Sequence, residues 1–347
     1  MGDGEGDLEA FLQSLGATPK RIRAAAEAGH LPGLAADLVL TAGAELTARQ
    51  VAAQVGTTVD VVVDTWRTLG VPVDPDAPAF SAADLELVRG IVVLEGFGGH
   101  EGDELLRIVG SALGRVADAA VSVYVQEVET DMHAAGATSL EMARDNATTA
   151  AMALQLGAAL GTLFTHHLRG AIARQRQAQT GLSERVLMRL AIGFVDLVGF
   201  TPLAEELPAR ELLAVITSLE ARAFEVAAAC GGRVVKHIGD EIMFVALDPV
   251  AGCETVLALM RDLDARGINP HGGLAFGEVV TRHGDYYGPV VNLASRLADE
   301  AIPGEVLADP AVAVAVQVDG LVFEPAGRRL LKGFSEPVRV SSLMDRR

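Results

Sequence analysis

The stretch that decides the fold of the second half of this chain is Phe194–Thr201, with the sequence FVDLVGFT. An apolar run ends in Asp196, and a glycine and a predicted helix start follow. A carboxylate at the end of a strand can hold a hard cation, and the backbone N–H groups after it can face phosphate oxygens. Taken alone, the stretch fits equally an aspartate that only caps a turn.

A second informative stretch is Lys236–Phe244, with the sequence KHIGDEIMF. Two apolar runs flank Gly239-Asp240, and this pattern predicts a tight β-hairpin. Asp240 would then lie at the exposed tip of the hairpin. An ordinary hairpin without any function uses Gly-Asp in the same way.

The third stretch is Gly284–Arg296, with the sequence GDYYGPVVNLASR. Asn292 and Arg296 are four residues apart, so they share one face of the predicted helix. A neutral hydrogen-bonding group beside a cation suits an anionic transition state. A solvated helix surface would carry the same two residue types.

The overall pattern predicts an α+β protein with two domains. The first half carries helical periodicity with capping signals, whereas from Met188 onward short β-branched runs alternate with helical patterns. We predict a helical domain over residues 1–168, a linking helix over 169–186 and a second domain over 187–347.

Charge and composition restrict the classes of partner. The formal net charge is −18 and aromatic residues make up 4%, which disfavours nucleic acid and anionic membranes as main partners. Two cysteines cannot build a disulfide framework, and the acidic N-terminus does not resemble a secretory signal. We therefore expect a cytoplasmic protein.

One segment requires a test for membrane insertion. Ala147–Thr165 contains no charged residue, and its length approaches that of a bilayer span. It is rich in alanine and glycine and contains Gln155, with Gly157 and Gly161 in GxxxG spacing. We expect a buried or dimer-facing helix and no stable membrane insertion.

Together, the three stretches resemble the catalytic domain of class III nucleotide cyclases, from about Leu187 to the C-terminus. The resemblance implies a ferredoxin-like fold that converts ATP to 3′,5′-cyclic AMP and pyrophosphate. It implies that Asp196 and Asp240 hold two divalent cations, Mg²⁺ or Mn²⁺. Such ions activate the ribose 3′-hydroxyl and neutralise the leaving pyrophosphate.

The resemblance also assigns roles to five further residues. Lys236 and Asp285 match the pair of residues that recognises the base. Lysine can donate a hydrogen bond to N1 of adenine, and aspartate can accept one from the 6-amino group. Guanine has a donor and an acceptor in the reverse positions, so this pair favours ATP over GTP. Asn292 would orient the ribose and Arg296 would stabilise the transition state. Lys332 matches a lysine that binds the triphosphate.

Two consequences of the resemblance concern assembly and a departure from the family pattern. Active sites in the family form between two catalytic domains, so a homodimer would have two composite sites. Many relatives carry an arginine where this chain has His271. If that arginine helps bind the triphosphate, His271 would do so less well and only when protonated.

The first half is similar to the helical regulatory domain of some actinobacterial adenylate cyclases. That likeness implies control by pH or by a lipid-like small molecule. His166, which lies just before the predicted junction, is a candidate for the pH response. Protonation there would change how the helix Leu168–Gln179 engages the catalytic domain.

Other classes of protein fit parts of the sequence. Leu46–Leu69 also resembles a helix-turn-helix of the MerR type, so an alternative is a DNA-binding regulator with an inactive cyclase-like nucleotide-binding domain. The recognition helix would carry Asp60 and Asp64 against only Arg67, which is unfavourable for phosphate contacts. A diguanylate cyclase is disfavoured because its Gly-Gly-acid-acid-Phe signature is missing.

Overall fold

The computed structural model describes residues 3–98, 100–178, 187–198 and 208–345. The chain divides into two compact units, Met1–His166 and His167–Arg347. The division falls within a single long helix, Ser139–Ala178. In the described residues the first unit is helical apart from turns and one isolated bridge, and the second unit is built on a mixed β-sheet.

The first unit has nine α-helices in its described residues, with one 3₁₀ turn at Leu31–Gly33 and one π-helical turn at Val125–Glu129. The α-helices are α1 (Asp3–Ser14), α2 (Pro19–Glu27), α3 (Leu34–Leu40), α4 (Ala48–Val55), α5 (Val59–Thr68), α6 (Ala82–Gly98), α7 (His100–Tyr124), α8 (Thr130–Ala134) and α9 (Ser139–Ala178). A capping box begins α4, where Thr47 and Gln50 cap each other's backbone N–H groups.

Gly96 and Gly98 do not interrupt helix α6. Helix α6 continues to Gly98 and α7 begins at His100, while Gly99 lies outside the described residues. Glycine lowers helix propensity by only about 1 kcal/mol per residue, which helical neighbours on both sides can offset.

Two apolar clusters form the core of the first unit. One joins α1, α2 and α3 to the start of α9 through Leu12, Leu38 and Ala143. The other joins α4, α5 and α6, and in it Trp66 meets Phe80 edge to face with ring centroids 5.0 Å apart. These short helices are therefore held by packing against one another.

The long helices α7 and α9 expose much of their apolar surface. Val121, Met152 and Phe164 are each more than 60% exposed. Ala147–Thr165 is not buried within the single chain, because only 6% of the most apolar window of α9 is buried. The alternative, that this segment faces a second chain in a dimer, stays a prediction. Gly102–Ala134 and Ser139–Ala178 are long and apolar enough to cross a bilayer, judged by length and composition alone.

The second unit is an eight-stranded sheet in the order β2-β3-β1-β4-β6-β8-β7, with β5 paired to β4. Its strands are β1 (Leu187–Val198), β2 (Gly232–Ile238), β3 (Glu241–Ala246), β4 (Asn269–Arg282), β5 (Asp285–Tyr287), β6 (Val306–Ala308), β7 (Leu321–Arg329) and β8 (Val338–Asp345). The helices in its described residues are α10 (Ala209–Ala229), α11 (Pro249–Asp264), α12 (Pro289–Glu300) and α13 (Pro310–Ala315).

The first four strands and the helices between them give the order β1-α10-β2-β3-α11-β4. Antiparallel pairing places β1 between β3 and β4, which is the ferredoxin-like arrangement. The predicted fold class, an all-helical domain followed by an α+β ferredoxin-like domain, is confirmed. The sheet separates one core cluster around Phe244 and Leu259 from another around Ile192 and Ala298.

Helix α12 lies unusually close to β4. A Cβ atom at Gly273 would overlap the backbone of both Ala294 and Ala298. Glycine is therefore required at this position of β4, because backbone approaches backbone there. This contact fixes α12 against the strand that pairs with β1.

Candidate active site

Asp196 lies near the end of the central strand β1. Its Oδ1 accepts a hydrogen bond from the Leu197 N–H at 2.9 Å, and its Oδ2 lies 3.5 Å from Nε2 of His271. Asp196 pairs in register with His271 on β4. The carboxylate is partly exposed and lies beside a buried imidazole.

Asp240 follows Gly239 in the β2–β3 turn. Gly239 has a φ of 66°, a conformation that favours glycine, and Ile238 pairs with Glu241 to close the hairpin. Asp240 is half-buried and lines a small hollow together with Leu197, the neighbour of Asp196. The structure therefore places the turn of the hairpin at the end of β1.

Glu241 is a third acid at this end of the sheet, and the sequence analysis did not select it. Its pKa is raised to about 7, first by burial and then by the charges of Asp196, Asp299 and Asp240, against a lowering by Arg296. The adjacent acids of Asp240-Glu241 were the available signal. Carboxylates this crowded repel one another and favour a cation nearby.

Lys236 and Asp285 contact each other. The Lys236 ammonium donates to Asp285 Oδ2, while Asp285 Oδ1 accepts from the Tyr286 N–H at 2.9 Å. Behind this pair, Arg233 donates to the Tyr286 hydroxyl at 2.8 Å and lies over its ring. The structure thus brings a donor and an acceptor, far apart in sequence, to one place between β2 and β5.

Asn292 and Arg296 lie on the outer side of α12. The helix buries Ala294, Leu297 and Ala298 against the sheet, which leaves Asn292 exposed and Arg296 partly exposed. Arg296 contacts Asp299 one turn further on, and this pair is largely open to solvent. The guanidinium is therefore accessible to a ligand at this surface.

Lys332 lies in the tight turn after β7. Leu331 is buried with Leu297 and Leu307, and Phe334 donates its N–H to the Leu331 carbonyl at 3.0 Å. Lys332 itself is exposed. Within the described ranges, no contact joins Lys332 to the other six candidate residues.

His271 is buried, and both of its ring nitrogens face protein atoms. Its Nδ1 lies 2.8 Å from the Ala298 carbonyl oxygen on α12, and its Nε2 faces Asp196. The imidazole therefore connects the strand that carries the candidate metal ligand with the helix that carries Asn292 and Arg296.

The donor set at the end of β1 fits divalent cations. Carboxylate oxygens are the ligands that Mg²⁺ prefers, and Mn²⁺ accepts them too. Among the residues that the structure describes, no group of three His, Cys, Asp or Glu side chains converges tightly enough to enclose an ion. Two protein carboxylates and the oxygens of a bound triphosphate would together complete such a site.

Comparison with known proteins places this chain in a family. An adenylate cyclase regulatory domain model matches residues 5–172. An uncharacterised protein of Mycobacterium tuberculosis is 34% identical over 97% of this chain and 90% of its own length. A pH-sensitive adenylate cyclase of the same species is 30% identical over 96% of this chain and 86% of its own length.

A solved structure also resembles part of this chain. The adenylyl cyclase CyaB from P. aeruginosa is 26% identical, with a TM-score of 0.41 over 46% of this chain and 96% of that chain. The sequence relatives carry the assignment: the regulatory match lies in the first half, and the named cyclase aligns along nearly the whole length. This chain therefore belongs to the adenylate cyclase family.

Proposed function

We propose that the chain converts ATP to 3′,5′-cyclic AMP and pyrophosphate. The ribose 3′-oxygen forms a bond to the α-phosphorus, the bond from that phosphorus to the leaving pyrophosphate oxygen breaks, and the hydroxyl proton passes to solvent. The observation that carries the choice of substrate is the contact between Lys236 and Asp285. The family assignment supports the reaction class.

Asp196 and Asp240 would hold two divalent cations, Mg²⁺ or Mn²⁺. When bound, these ions supply activation of the 3′-hydroxyl and neutralise the pyrophosphate. The proposal is supported by the approach of the β2–β3 turn to the end of β1 and by the crowding of charge around Glu241. Among the described residues, the backbone N–H that bonds to Asp196 reaches Oδ1, and none donates to Oδ2.

Lys236 and Asp285 would recognise adenine. The ammonium donates to N1 and the carboxylate accepts from the 6-amino group, whereas guanine would set donor against donor and acceptor against acceptor. Their mutual contact keeps both groups close to the same place before the base arrives, which reduces the entropy lost on binding.

Asn292 and Arg296 would act on the reacting centre. The Asn292 amide orients the ribose, and Arg296 stabilises charge that builds on the α-phosphate. Lys332 would bind the triphosphate, an assignment that rests on the family resemblance together with the exposure of its side chain.

The active sites would lie between two copies of the chain. Asp196 and Asp240 of one subunit would face Lys236, Asp285, Asn292 and Arg296 of the partner subunit, so a homodimer has two equivalent sites. The proposal is supported by the outward-facing position of Asn292 on α12, where a second chain could present a nucleotide to it.

Mixing two inactive variants tests this proposal. Asp196→Ala and Asn292→Ala should each be nearly inactive alone, and their mixture should regain activity because a heterodimer contains one intact site. At statistical exchange, about a quarter of the wild-type activity is expected, since half of the dimers carry one good site of two. The absence of rescue in dimers shown to exchange would contradict a shared site.

A matched substrate assay tests the reaction itself. Purified full-length protein is supplied with ATP or GTP and with Mg²⁺ or Mn²⁺, and cyclic nucleotide is measured. Cyclic AMP formation from ATP is expected to exceed cyclic GMP formation from GTP. A preference for GTP would overturn the role of Lys236 and Asp285.

We further propose that residues 1–168 regulate catalytic residues 187–347 through a linking segment over 169–186. The support is the regulatory-domain match over residues 5–172 and the end of α9, where Ala178 packs with Met188 and Tyr286. Nearby, burial and the charge of Arg233 lower the pKa of Arg174. Because Tyr286 follows Asp285 in the sequence, a movement of the end of α9 would change the position of Asp285 and its contact with Lys236.

A lipid-like regulator would suit a groove in the first unit. The groove has a volume of about 570 Å³ and is lined mainly by apolar residues of α7 and α9, including Val116 and Met152. At its polar end, Tyr124 bonds to Asp145 and Asn146 at 3.0 and 2.9 Å. An apolar tail with one polar group matches this lining.

Nucleic acid is not proposed as a partner. Helix α5, the recognition helix of the DNA-binding alternative, packs against α7, and it carries Asp60 as well as Asp64, which pairs with Arg67.

A cytoplasmic location without stable membrane insertion is proposed from the free cysteines Cys230 and Cys253 and the family assignment. Cell fractionation tests this location. The alternative is that α7 and α9, which are long and apolar enough to cross a membrane, bring the protein into the membrane fraction.

A further inference from the structure

His271 is a buried polar side chain with one nitrogen whose role the reaction described above does not explain. The residue is 9% exposed and lies on β4 directly beside Asp196 of β1. Many buried histidines have both nitrogens satisfied by neutral partners. In His271, by contrast, Nε2 faces the Asp196 carboxylate at 3.5 Å.

The contact on the other side of the ring determines the tautomer. A carbonyl oxygen can only accept a hydrogen bond, so Nδ1, which lies 2.8 Å from the Ala298 carbonyl, carries a proton. In the neutral ring, Nε2 then has a lone pair directed at Asp196. Two lone pairs facing each other across 3.5 Å repel, unless a positive charge lies between them.

This arrangement is the one that metal-binding histidines adopt. A histidine ligand almost always donates its second ring N–H to a carboxylate or a backbone carbonyl, which fixes both the tautomer and the ring orientation. Two ligand atoms each about 2.1 Å from one ion would lie about 3.0 to 3.4 Å apart. The measured separation of Nε2 and Oδ2 requires little movement to reach that range.

We propose that His271 Nε2 and Asp196 Oδ2 together bind one of the divalent cations, so that this site has a nitrogen ligand. The inference rests on the proposed function, which places a metal at Asp196. The oxygens of a bound triphosphate complete the coordination around these two protein ligands, in keeping with the absence of a third converging protein ligand among the described residues.

The nitrogen ligand selects the class of ion. Imidazole suits transition metals, whereas Mg²⁺ prefers oxygen ligands throughout. The site that includes His271 therefore favours Mn²⁺ over Mg²⁺. Because the ring also bonds to α12, the ion at Asp196 is connected to the helix that carries Arg296.

The competing explanation is a simple ion pair. If His271 carries protons on both nitrogens, it neutralises Asp196 and no ion is required between them. An imidazolium repels Mn²⁺, so the two explanations give opposite effects when the ring is removed.

The test uses the full-length protein with Mn²⁺ alone and pulsed electron paramagnetic resonance, which detects a ¹⁴N nucleus bound directly to manganese. His271→Asn is the main variant, because its side-chain amide can still donate to the Ala298 carbonyl while the Nε2 ligand is lost. His271→Gln provides a second variant with a different reach. His133→Gln in the first unit is the matched control.

The wild-type protein and His133→Gln are expected to show the nitrogen coupling, and both His271 variants are expected to lose it. Affinity for Mn²⁺ should fall by roughly 10-fold or more in the His271 variants, since even indirect partners of metal ligands are worth 10- to 100-fold. Affinity for Mg²⁺ should change less.

Asp196→Asn separates failure of this inference from failure of the proposed function. If Asp196→Asn abolishes Mn²⁺ binding but the wild type shows no nitrogen coupling, His271 is not a ligand and the metal role of Asp196 stands. If His271→Asn binds Mn²⁺ as tightly as the wild type or more tightly, the ion-pair explanation is correct. If Asp196→Asn binds Mn²⁺ normally, both proposals are wrong.

Discussion

Lys236 on β2 and Asp285 on β5 form a direct ion pair, although 49 residues separate them in the sequence. The pair is partly exposed, with 40% of the lysine side chain and 25% of the aspartate side chain accessible. Such a pair contributes little to stability, because water screens it. We therefore propose a role for this pair in recognition of the base and not in stability.

Lys236→Ala should lower kcat/KM for ATP by roughly 10- to 100-fold, because one polar group of the base loses its partner. Asp285→Asn should also lower it, since an amide at this position can present a donor to the 6-amino group. Lys20→Ala, an exposed lysine of α2, is the control and should leave activity unchanged. Equal activity in Lys236→Ala and the wild type would remove this lysine from base recognition.

Arg296→Ala should lower kcat by roughly 100- to 1000-fold with a smaller change in KM, because the guanidinium acts mainly on charge in the transition state. Arg296→Lys should recover only part of the loss, since an ammonium lacks the planar fork of donors. Asp299→Asn removes the helical partner of Arg296 and should change kcat only a few-fold. A variant that raised KM alone would indicate ordinary substrate binding.

Gly273→Ala should destabilise the second unit by about 1–3 kcal/mol, because the new methyl group overlaps the backbone of α12. Activity should fall further than stability explains, since α12 carries Asn292 and Arg296. Gly90→Ala in α6 is the matched control: its Cβ would meet nothing within 4 Å, and alanine favours the helix by about 0.5–1 kcal/mol. Urea unfolding and a kcat measurement compare the two.

Asp309 tests the effect of a buried charge on stability. Its Oδ1 accepts from the Val312 N–H at 3.0 Å to cap α13, and burial raises its pKa. The pKa of Asp309 is higher in the folded state than in the unfolded state. The stability that the protonated carboxyl contributes is therefore lost as the pH rises through its pKa in the folded state.

Asp309→Asn keeps an oxygen for the cap but carries no charge. It should therefore become more stable relative to the wild type as pH rises from about 4 to 7. Asp309→Ala loses both the charge and the cap, so it should be less stable than Asp309→Asn by about 0.5–2 kcal/mol at both pH values. Urea unfolding at pH 4 and 7 measures both effects, and a pH-independent difference for Asp309→Asn would contradict the argument.

Comparing activity against pH for the full chain and for a chain that starts near Thr180 tests regulation by the first half. The regulatory proposal expects two different profiles, with His166→Ala moving the full-length profile toward the truncated one. Identical profiles for the two chains would exclude a pH signal from residues 1–168.

Local signals explain the parts of this structure that the sequence could predict. The hairpin at Gly239-Asp240 follows from turn chemistry between two apolar runs, and the start of α4 follows from its capping box. Strands β5 and β6 have only three residues each, too few to show a period. Both strands pair with β4, whose position is determined by the rest of the sheet.

The candidate site depended more on long-range pairing. The approach of His271 to Asp196 requires the register between β1 and β4, which no local pattern reveals. Glu241 was missed in spite of its acidic neighbour Asp240, because its raised pKa arises first from burial and then from the charges of Asp196 and Asp299, which are distant in the sequence. For α9 the sequence left burial and a dimer contact open, because an uncharged alanine-rich run does not reveal whether the same chain or a second chain covers it.

The close contact between α12 and β4 has a consequence for a dimer with two shared sites. Each chain would give its acids to one pocket and its Asn292 and Arg296 to the other. At Gly273 the backbones of β4 and α12 are in such close contact that one element can hardly move without the other. Occupancy of the first pocket would then alter the affinity of the second within a single subunit. Cooperativity toward ATP would originate inside each chain, with the interface between subunits needed only to assemble the pockets.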